Sequence, residues 1–249
     1  MNKIQMTARL ASCLLIAAAC LAVSGCKTPS STTAITHDQE KTIGDWAAAQ
    51  IQSEASGPTD PAIVAEVDGI TKKLDGAVTC EAPRILISDS DSYTVTSLPG
   101  DWVVISANTV TLFHDNPDAL AGLLAHEFAH VENDDAGKQM INALGADAMV
   151  NITTQGKYTD ASNVAVQLMN FGHSIQDEYK ADAEGVRIAD AAGYDPNGIV
   201  VAIAKLKSVT PSTDAQWLVV HPVTPKRLKL LMRDVAAYSV ARKTKSNDH

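Results

Sequence analysis

The sequence predicts a mainly helical α+β protein with a small β-sheet. Three observations carry that prediction. The chain is rich in alanine and poor in aromatic residues, with only 4% Phe, Trp and Tyr, a balance that favours helices. Several stretches show helical spacing with start and stop signals, and two short β-branched runs stand apart from them. At 249 residues, 45% hydrophobic and 20% charged, the chain can bury a sizeable core. Its net charge of −9 comes without any Lys/Arg cluster, which argues against nucleic acid or another polyanion as a partner.

Residues 1–25 read as an address and not as part of the fold. Lys3 and Arg9 form a positive start, and Leu10 through Val23 is apolar but too short to be a convincing membrane span. Val23-Ser24-Gly25-Cys26 resembles a bacterial lipobox. That resemblance implies cleavage before Cys26 and lipid attachment to its sulfur. Lys27 after the cysteine then implies the periplasmic face of the outer membrane. An uncleaved membrane anchor is the alternative. Several acyl chains give stable anchoring where one is marginal. Residues 28–36, rich in Ser and Thr, read as a flexible tether, so 26–37 links the lipid to a folded domain at 38–249. Of the four cysteines, Cys13 and Cys20 fall in the signal and only Cys80 lies in the folded part. A lone thiol cannot form an internal disulfide. It is expected to be a buried small hydrophobe, with an intermolecular or reactive role as the alternative.

In the domain, Ile43, Trp46, Ala47 and Ile51 predict a helix from Asp38 to about Ala55, and a second runs from Pro61 to Leu74. Arg84-Ile85-Leu86-Ile87 and Trp102 to Ser106 read as strands, separated by the turn-rich Asp89-Ser90-Asp91-Ser92. The strand from Trp102 is either an edge strand that pairs with an extended substrate, main chain to main chain, or an interior strand. Asn116 as N-cap, Pro117 at the first position and Asp118 in the first turn start the next helix. The stretch 136–172 reads as two helices and a turn, either closing over a cleft or completing the core. A further helix starts in Asp177-Glu178-Tyr179-Lys180-Ala181-Asp182-Ala183-Glu184-Gly185 and stops at Gly193.

The helix after Asn116 carries His126-Glu127-Phe128-Ala129-His130. On a helix, residues four apart share a face, so both imidazoles can reach one zinc ion about 2.0–2.1 Å away. Glu127 sits beside them without being a ligand, placed to take a proton from water whose pKa the metal lowers to about 7. This is the H-E-x-x-H arrangement of metalloproteases. Two unremarkable helix histidines are the plain alternative. A catalytic zinc needs a third protein ligand, and Glu178 is the best candidate. Asp182, on the same face, can accept the second ring N–H of a ligating histidine. A solvated acidic helix start is the other reading of that segment. His173, just before this helix, is expected to be a supporting or surface residue and not a ligand.

These features together resemble the M48 family of zinc metallopeptidases. The resemblance rests on HEFAH at 126–130, the E-x-x-A-D-x-x-G pattern at 178–185, Ala192-Gly193-Tyr194-Asp195-Pro196, and His221-Pro222 followed by Arg227, all in the expected order. Leu98-Pro99-Gly100-Asp101 and the strand after it resemble a Pro-Gly-Gly and strand of the family, with Asp101 in place of the second glycine. Ser92-Tyr93-Thr94-Val95 stands where many relatives have Asn-Ala-Phe. The resemblance covers roughly residues 38 to 235. It implies a zincin-like domain with its small sheet flanking the metal helix, and one zinc held by His126, His130 and Glu178. It further implies Glu127 as general base and Asp182 as support, with the His221 and Arg227 segment near the site. Some relatives carry a helical repeat domain, which this chain is expected to lack.

For His221 three roles stay open: oxyanion stabiliser, fourth zinc ligand, or structural histidine near Arg227. Its Pro-flanked segment favours a mobile residue that reaches the zinc. The resemblance implies an endopeptidase acting on unfolded or misfolded envelope proteins. A chaperone-like or binding lipoprotein with a non-proteolytic zinc site is the alternative, and the intact Glu127 argues against it.

Overall fold

The computed structural model describes residues 36–55, 59–145, 172–209 and 216–247. The lipobox-like run ending at Cys26, residues 27–35 of the expected tether, and residues 146–171 of the expected lid or core helices lie outside the described residues.

Helix α1 (His37–Ser53) opens with a reciprocal cap, in which Thr36 accepts from the Gln39 amide and the Gln39 side chain accepts from the Thr36 amide. Helix α2 (Pro61–Asp75) starts on Asp60, whose carboxylate accepts from Ala62 N–H, with Pro61 at the first position. Both helices begin and end within two residues of the sequence expectation.

Strands β1 (Arg84–Ser88), β2 (Val95–Leu98) and β3 (Trp102–Ser106) form one sheet in the order β1-β3-β2. β3 pairs parallel with β1 and antiparallel with β2, with Val103 opposite both Ile85 and Ser97. Both sides of β3 are therefore used. This removes the reading of Trp102 to Ser106 as a substrate-pairing edge; the edges are β1 and β2. The sequence reading had no strand at β2, where Val95-Thr96-Ser97-Leu98 lacks a clean apolar-polar alternation and only the Pro-Gly turn after it marks an end. That turn has positive φ at Gly100 (70°) and Asp101 (67°). Asp is among the few non-glycine residues that tolerate this region, which is how Asp101 replaces a glycine. Its carboxylate lies 3.4 Å from His37 and 3.7 Å from Lys41, tying the turn to α1.

The pleat sends Val103 and Ile105 into the main core and Val104 into a second, smaller cluster with Ile43, Ala47, Leu98 and Met140. Helix α1 covers that second face. The main core is built on α4 (Pro117–Glu132), reached through the short α3 (Ala107–Phe113). Asn116 caps α4 by accepting from Ala119 N–H, and every residue from Ala119 to His130 is buried. A helix buried all round is a central strut, not a surface element.

Around it stand α5 (Asp135–Leu144), α6 (Ile175–Ala191), α7 (Gly198–Val209), α8 (Gln216–Val220) and α9 (Pro225–Asn247). Glycines set the spacing of the strut. A Cβ on Gly122 would lie 2.4 Å from Ile199 N, and one on Gly185 would lie 3.0 Å from the Cα of His126. The glycine of the E-x-x-A-D-x-x-G pattern thus lets α6 lie directly against His126 of α4. Helix α6 starts on the Ser174 cap and gives way to Gly193 at φ 91°.

Cys80 corrects an expectation. It is exposed in the connection from α2 to β1, because that loop runs over the surface and offers no apolar pocket. Its thiol is held above the ordinary value by partial desolvation and by the Glu132 carboxylate. Among the described residues, no helix is long and apolar enough to cross a membrane.

One buried acid makes the docking of α1 sensitive to pH. Glu40 is 6% exposed, and burial together with the nearby Asp134 carboxylate pushes its pKa up to about 7, against the pull of His37. A carboxyl group with a raised folded-state pKa weakens folding as pH climbs from its ordinary value of 4.5 toward 7, and the loss is complete above that. Glu40→Gln is therefore expected to gain on the order of 1–3 kcal/mol at pH 8 and little at pH 4. Urea unfolding at the two pH values measures this; equal gains at both would contradict it.

Candidate metal centre

Helices α4 and α6, together with the loop after α8, bring His126, His130, Glu178 and His221 to one point. Their ligand-type atoms all lie within 4.8 Å of one another, and all four residues are buried. His126 Nε2 is 3.1 Å from His130 Nε2 and 3.3 Å from His221 Nδ1. Glu178 Oε1 is 3.5 Å from His130 Nε2 and 2.9 Å from His221 Nδ1, and Glu178 Oε2 is 3.6 Å from His126 Nε2.

The far ring nitrogens fix the chemistry of the near ones. His126 Nδ1 lies 3.2 Å from Asp182 Oδ1, and His130 Nδ1 lies 2.9 Å from Asp135 Oδ2. An ionised carboxylate only accepts, so a carboxylate beside each Nδ1 favours the hydrogen there, and a ring that is neutral then turns its Nε2 lone pair inward. Two such lone pairs and a carboxylate facing one another require a cation. Donor atoms around a tetrahedral zinc with bonds of 2.0–2.1 Å are about 3.3 Å apart, and most of the separations here lie close to that value. The residues fit a divalent metal such as zinc.

The electrostatics agree. Burial opposes charging His130, but the Asp135 and Glu178 carboxylates overcome it and push its pKa up to about 9. His126 is likewise raised, by Asp182 and Glu178, against burial. Glu178 would be raised by burial, yet the imidazoles of His221, His126 and His130 hold it well below the usual carboxylate range. The surroundings thus favour positive charge at the centre and a fully ionised glutamate.

Arg227 joins α9 to this arrangement. It donates from Nε and Nη2 to the two oxygens of Asp182, at 2.8 Å each, and its Nη1 contacts Glu178 Oε2. Burial holds Asp182 back from ionising, and Arg227 with His126 outweighs that and lowers its pKa. A fork of this kind orients a carboxylate as well as neutralising it. Arg227 also donates from Nη1 to Pro222 C=O at 3.4 Å, which holds the loop that carries His221.

Glu127 stands beside the donor atoms. Its Oε2 accepts from Ser97 N–H at 2.9 Å and its Oε1 from Trp217 Nε1–H at 3.0 Å, and His221 Nε2 is 3.2 Å from Oε1. His173 is buried and stacks on His130 with ring centroids 3.8 Å apart, which makes it a backing for that ring.

The sequence analysis missed Asp135, Trp217 and the Ser97 amide. Asp135 follows Asp134, whose φ of 52° turns the chain sharply after α4. No spacing rule announces a carboxylate that reaches a histidine through a turn of this kind. Trp217 lies one helical turn before His221, a spacing that does place two side chains on one face.

A sequence profile of Peptidase family M48 matches residues 70–234. The chain is 26% identical over 206 residues to a protease HtpX homolog of Desulfatibacillum aliphaticivorans, a match covering 69% of this chain and 65% of that protein. It is 22% identical over 207 residues to the beta-barrel assembly-enhancing protease of Escherichia coli (strain K12), covering 76% of this chain and 42% of that one. The corresponding protein of Yersinia pestis is 23% identical over 208 residues, with 77% and 43% covered. The chain therefore spans less than two thirds of the length of these relatives.

Asp135→Ala is expected to lower zinc affinity about 10- to 100-fold, because His130 loses the partner that fixes its tautomer. Zinc titration against a chromophoric chelator measures this. Wild-type affinity in a folded Asp135→Ala protein would show that the carboxylate does not orient the ring.

Proposed function

The chain belongs to peptidase family M48, and we propose that it is a zinc-dependent endopeptidase of the bacterial cell envelope. In this reading His126, His130 and Glu178 hold one zinc, Glu127 is the general base, and Asp182, Arg227 and Asp135 orient the ligands. The observation that carries it is the place of Glu127: a buried carboxylate, fixed by two N–H donors, against a set of inward-facing imidazole nitrogens. A purely structural metal site has no use for such a group.

A zinc ion held there supplies Lewis acidity, polarising a carbonyl and lowering the pKa of water. Glu127 then takes the proton from the water whose oxygen attacks the scissile carbonyl carbon. It delivers that proton to the amine nitrogen as the C–N bond breaks. Ser97 N–H and the Trp217 indole keep the carboxylate aimed while it alternates between the two forms.

His221 has a resting role in this account. Its Nδ1 reaches the donor set and its Nε2 reaches Glu127, so it fills the space that water and substrate need. It would serve as a fourth donor to a metal held there and would have to withdraw to admit substrate, when its ring could stabilise the oxyanion.

The family and the names of the relatives support a protease. The wider assignment rests on the same likeness and on the sequence. It comprises lipid attachment at Cys26, the periplasmic face of the outer membrane, and unfolded or misfolded envelope proteins as substrates.

Glu127→Gln separates binding from chemistry. It is expected to retain about one zinc per chain and the wild-type melting temperature, and to lose at least about 10²-fold in cleavage of an unfolded protein substrate. Elemental analysis and a fluorogenic casein assay on the same preparation measure both. Unchanged turnover would remove Glu127 from the mechanism.

A further inference from the structure

The short helix α8 delivers two rings to the site at once. His221 N–H donates to Trp217 C=O at 2.9 Å, so the two residues are one helical turn apart. Their rings stack with centroids 4.9 Å apart and an interplanar angle of 20°. Trp217 is 1% exposed, its edge meets His126 at 5.6 Å, and its backbone N–H donates to Tyr93 C=O just before β2 at 3.3 Å. The residue is thus clamped between the metal helix, the sheet and the His221 loop, with its one polar atom spent on Glu127.

We propose that Trp217 is a positioning residue for the general base, acting through its indole N–H on Glu127 Oε1. This rests on the peptidase reading above. The chemistry of the donor makes the case. An indole N–H gives a hydrogen bond and cannot accept one, so Trp217 can neither take the proton that Glu127 carries nor exchange roles with it. A carboxylate oxygen has two lone pairs, so one indole bond leaves the second to face His221 Nε2, 3.2 Å away at rest, or water once His221 has moved. The Ser97 amide performs the same service on Oε2. Held at both oxygens, the carboxylate cannot rotate about its last torsion, the softest one in a glutamate. A serine or threonine in place of the indole could turn its hydroxyl and compete for the proton; the tryptophan cannot. The ring has a second task, giving His221 a flat apolar wall to stack against.

Trp217→Phe keeps the wall and deletes the N–H. The zinc-loaded full chain carrying it is expected to show kcat per bound zinc reduced about 10- to 100-fold, with KM and zinc content unchanged, beside a lower melting temperature from the smaller buried ring. A merely structural tryptophan would lower the melting temperature and leave kcat per bound zinc at the wild-type level. A second measurement does not depend on turnover. The chain has three tryptophans, and the Trp217 indole N–H resonance, assigned by its disappearance in Trp217→Phe, is expected to shift in Glu127→Ala while the other two stay in place. Wild-type kcat in Trp217→Phe, or an indole resonance indifferent to Glu127, overturns the proposal alone. A wild-type chain that cleaves nothing overturns the peptidase reading and the base-positioning role with it, while the resonance still reports whether the bond exists.

Discussion

Two imidazole nitrogens 3.1 Å apart, each on a ring whose far nitrogen faces a carboxylate, form an arrangement that a protein cannot keep buried without a positive charge between them. The folded chain is organised around making that arrangement. Helix α4 is buried on every side because both histidines must face inward while Leu120, Leu123, Leu124 and Phe128 fill the core. Helix α6 must come close enough for a glutamate to reach the same point, and Gly185 against the His126 backbone is what permits it. Arg227 then neutralises the acids on the outer side of the centre and, from α9, fixes the last helix to α6. Burying so many charged groups is unfavourable unless each is paired. That is why the carboxylates and cations here form a continuous network and not isolated contacts.

The Glu127 carboxylate depends on the same construction from a different direction. Its two donors come from β2 and α8, far apart in sequence from α4 and from each other. The sheet therefore does more than cover the core: its short strand β2 carries an amide, Ser97 N–H, that orients a carboxylate. Trp217 and His221 leave the same short helix for the same pocket. Any movement of His221 is thereby linked mechanically to the environment of Glu127, whatever its chemical role.

Much of this was legible in the sequence. H-E-x-x-H brings two imidazoles and a carboxylate together through helical geometry alone, and the spacing of Glu178 and Asp182 on one helix puts both on the face that meets His126. Asn116-Pro117 and Gly193 mark real helix ends. What stayed hidden depends on contacts between distant segments. Asp135 needs a left-handed residue before it to reach His130, and a backbone amide such as Ser97 N–H has no signature in a side-chain pattern. Strand β2 is too short, at four residues, to outweigh the turn-rich segment before it. Whether Trp102 to Ser106 was edge or interior depended on finding that strand. Cys80 failed for a different reason: burial statistics for cysteine describe cores, and this one sits in a surface connection.

The central claim is that a zinc ion occupies the point where His126, His130, Glu178 and His221 converge. Zinc X-ray absorption on the protein as purified tests this most directly. The account predicts a first shell of nitrogen and oxygen only, at about 2.0–2.1 Å, with outer-shell scattering from three imidazoles. Sulfur at about 2.3 Å would place the metal at the exposed Cys80 instead. A spectrum without imidazole scattering, or a folded protein that takes up no zinc, would contradict the site itself.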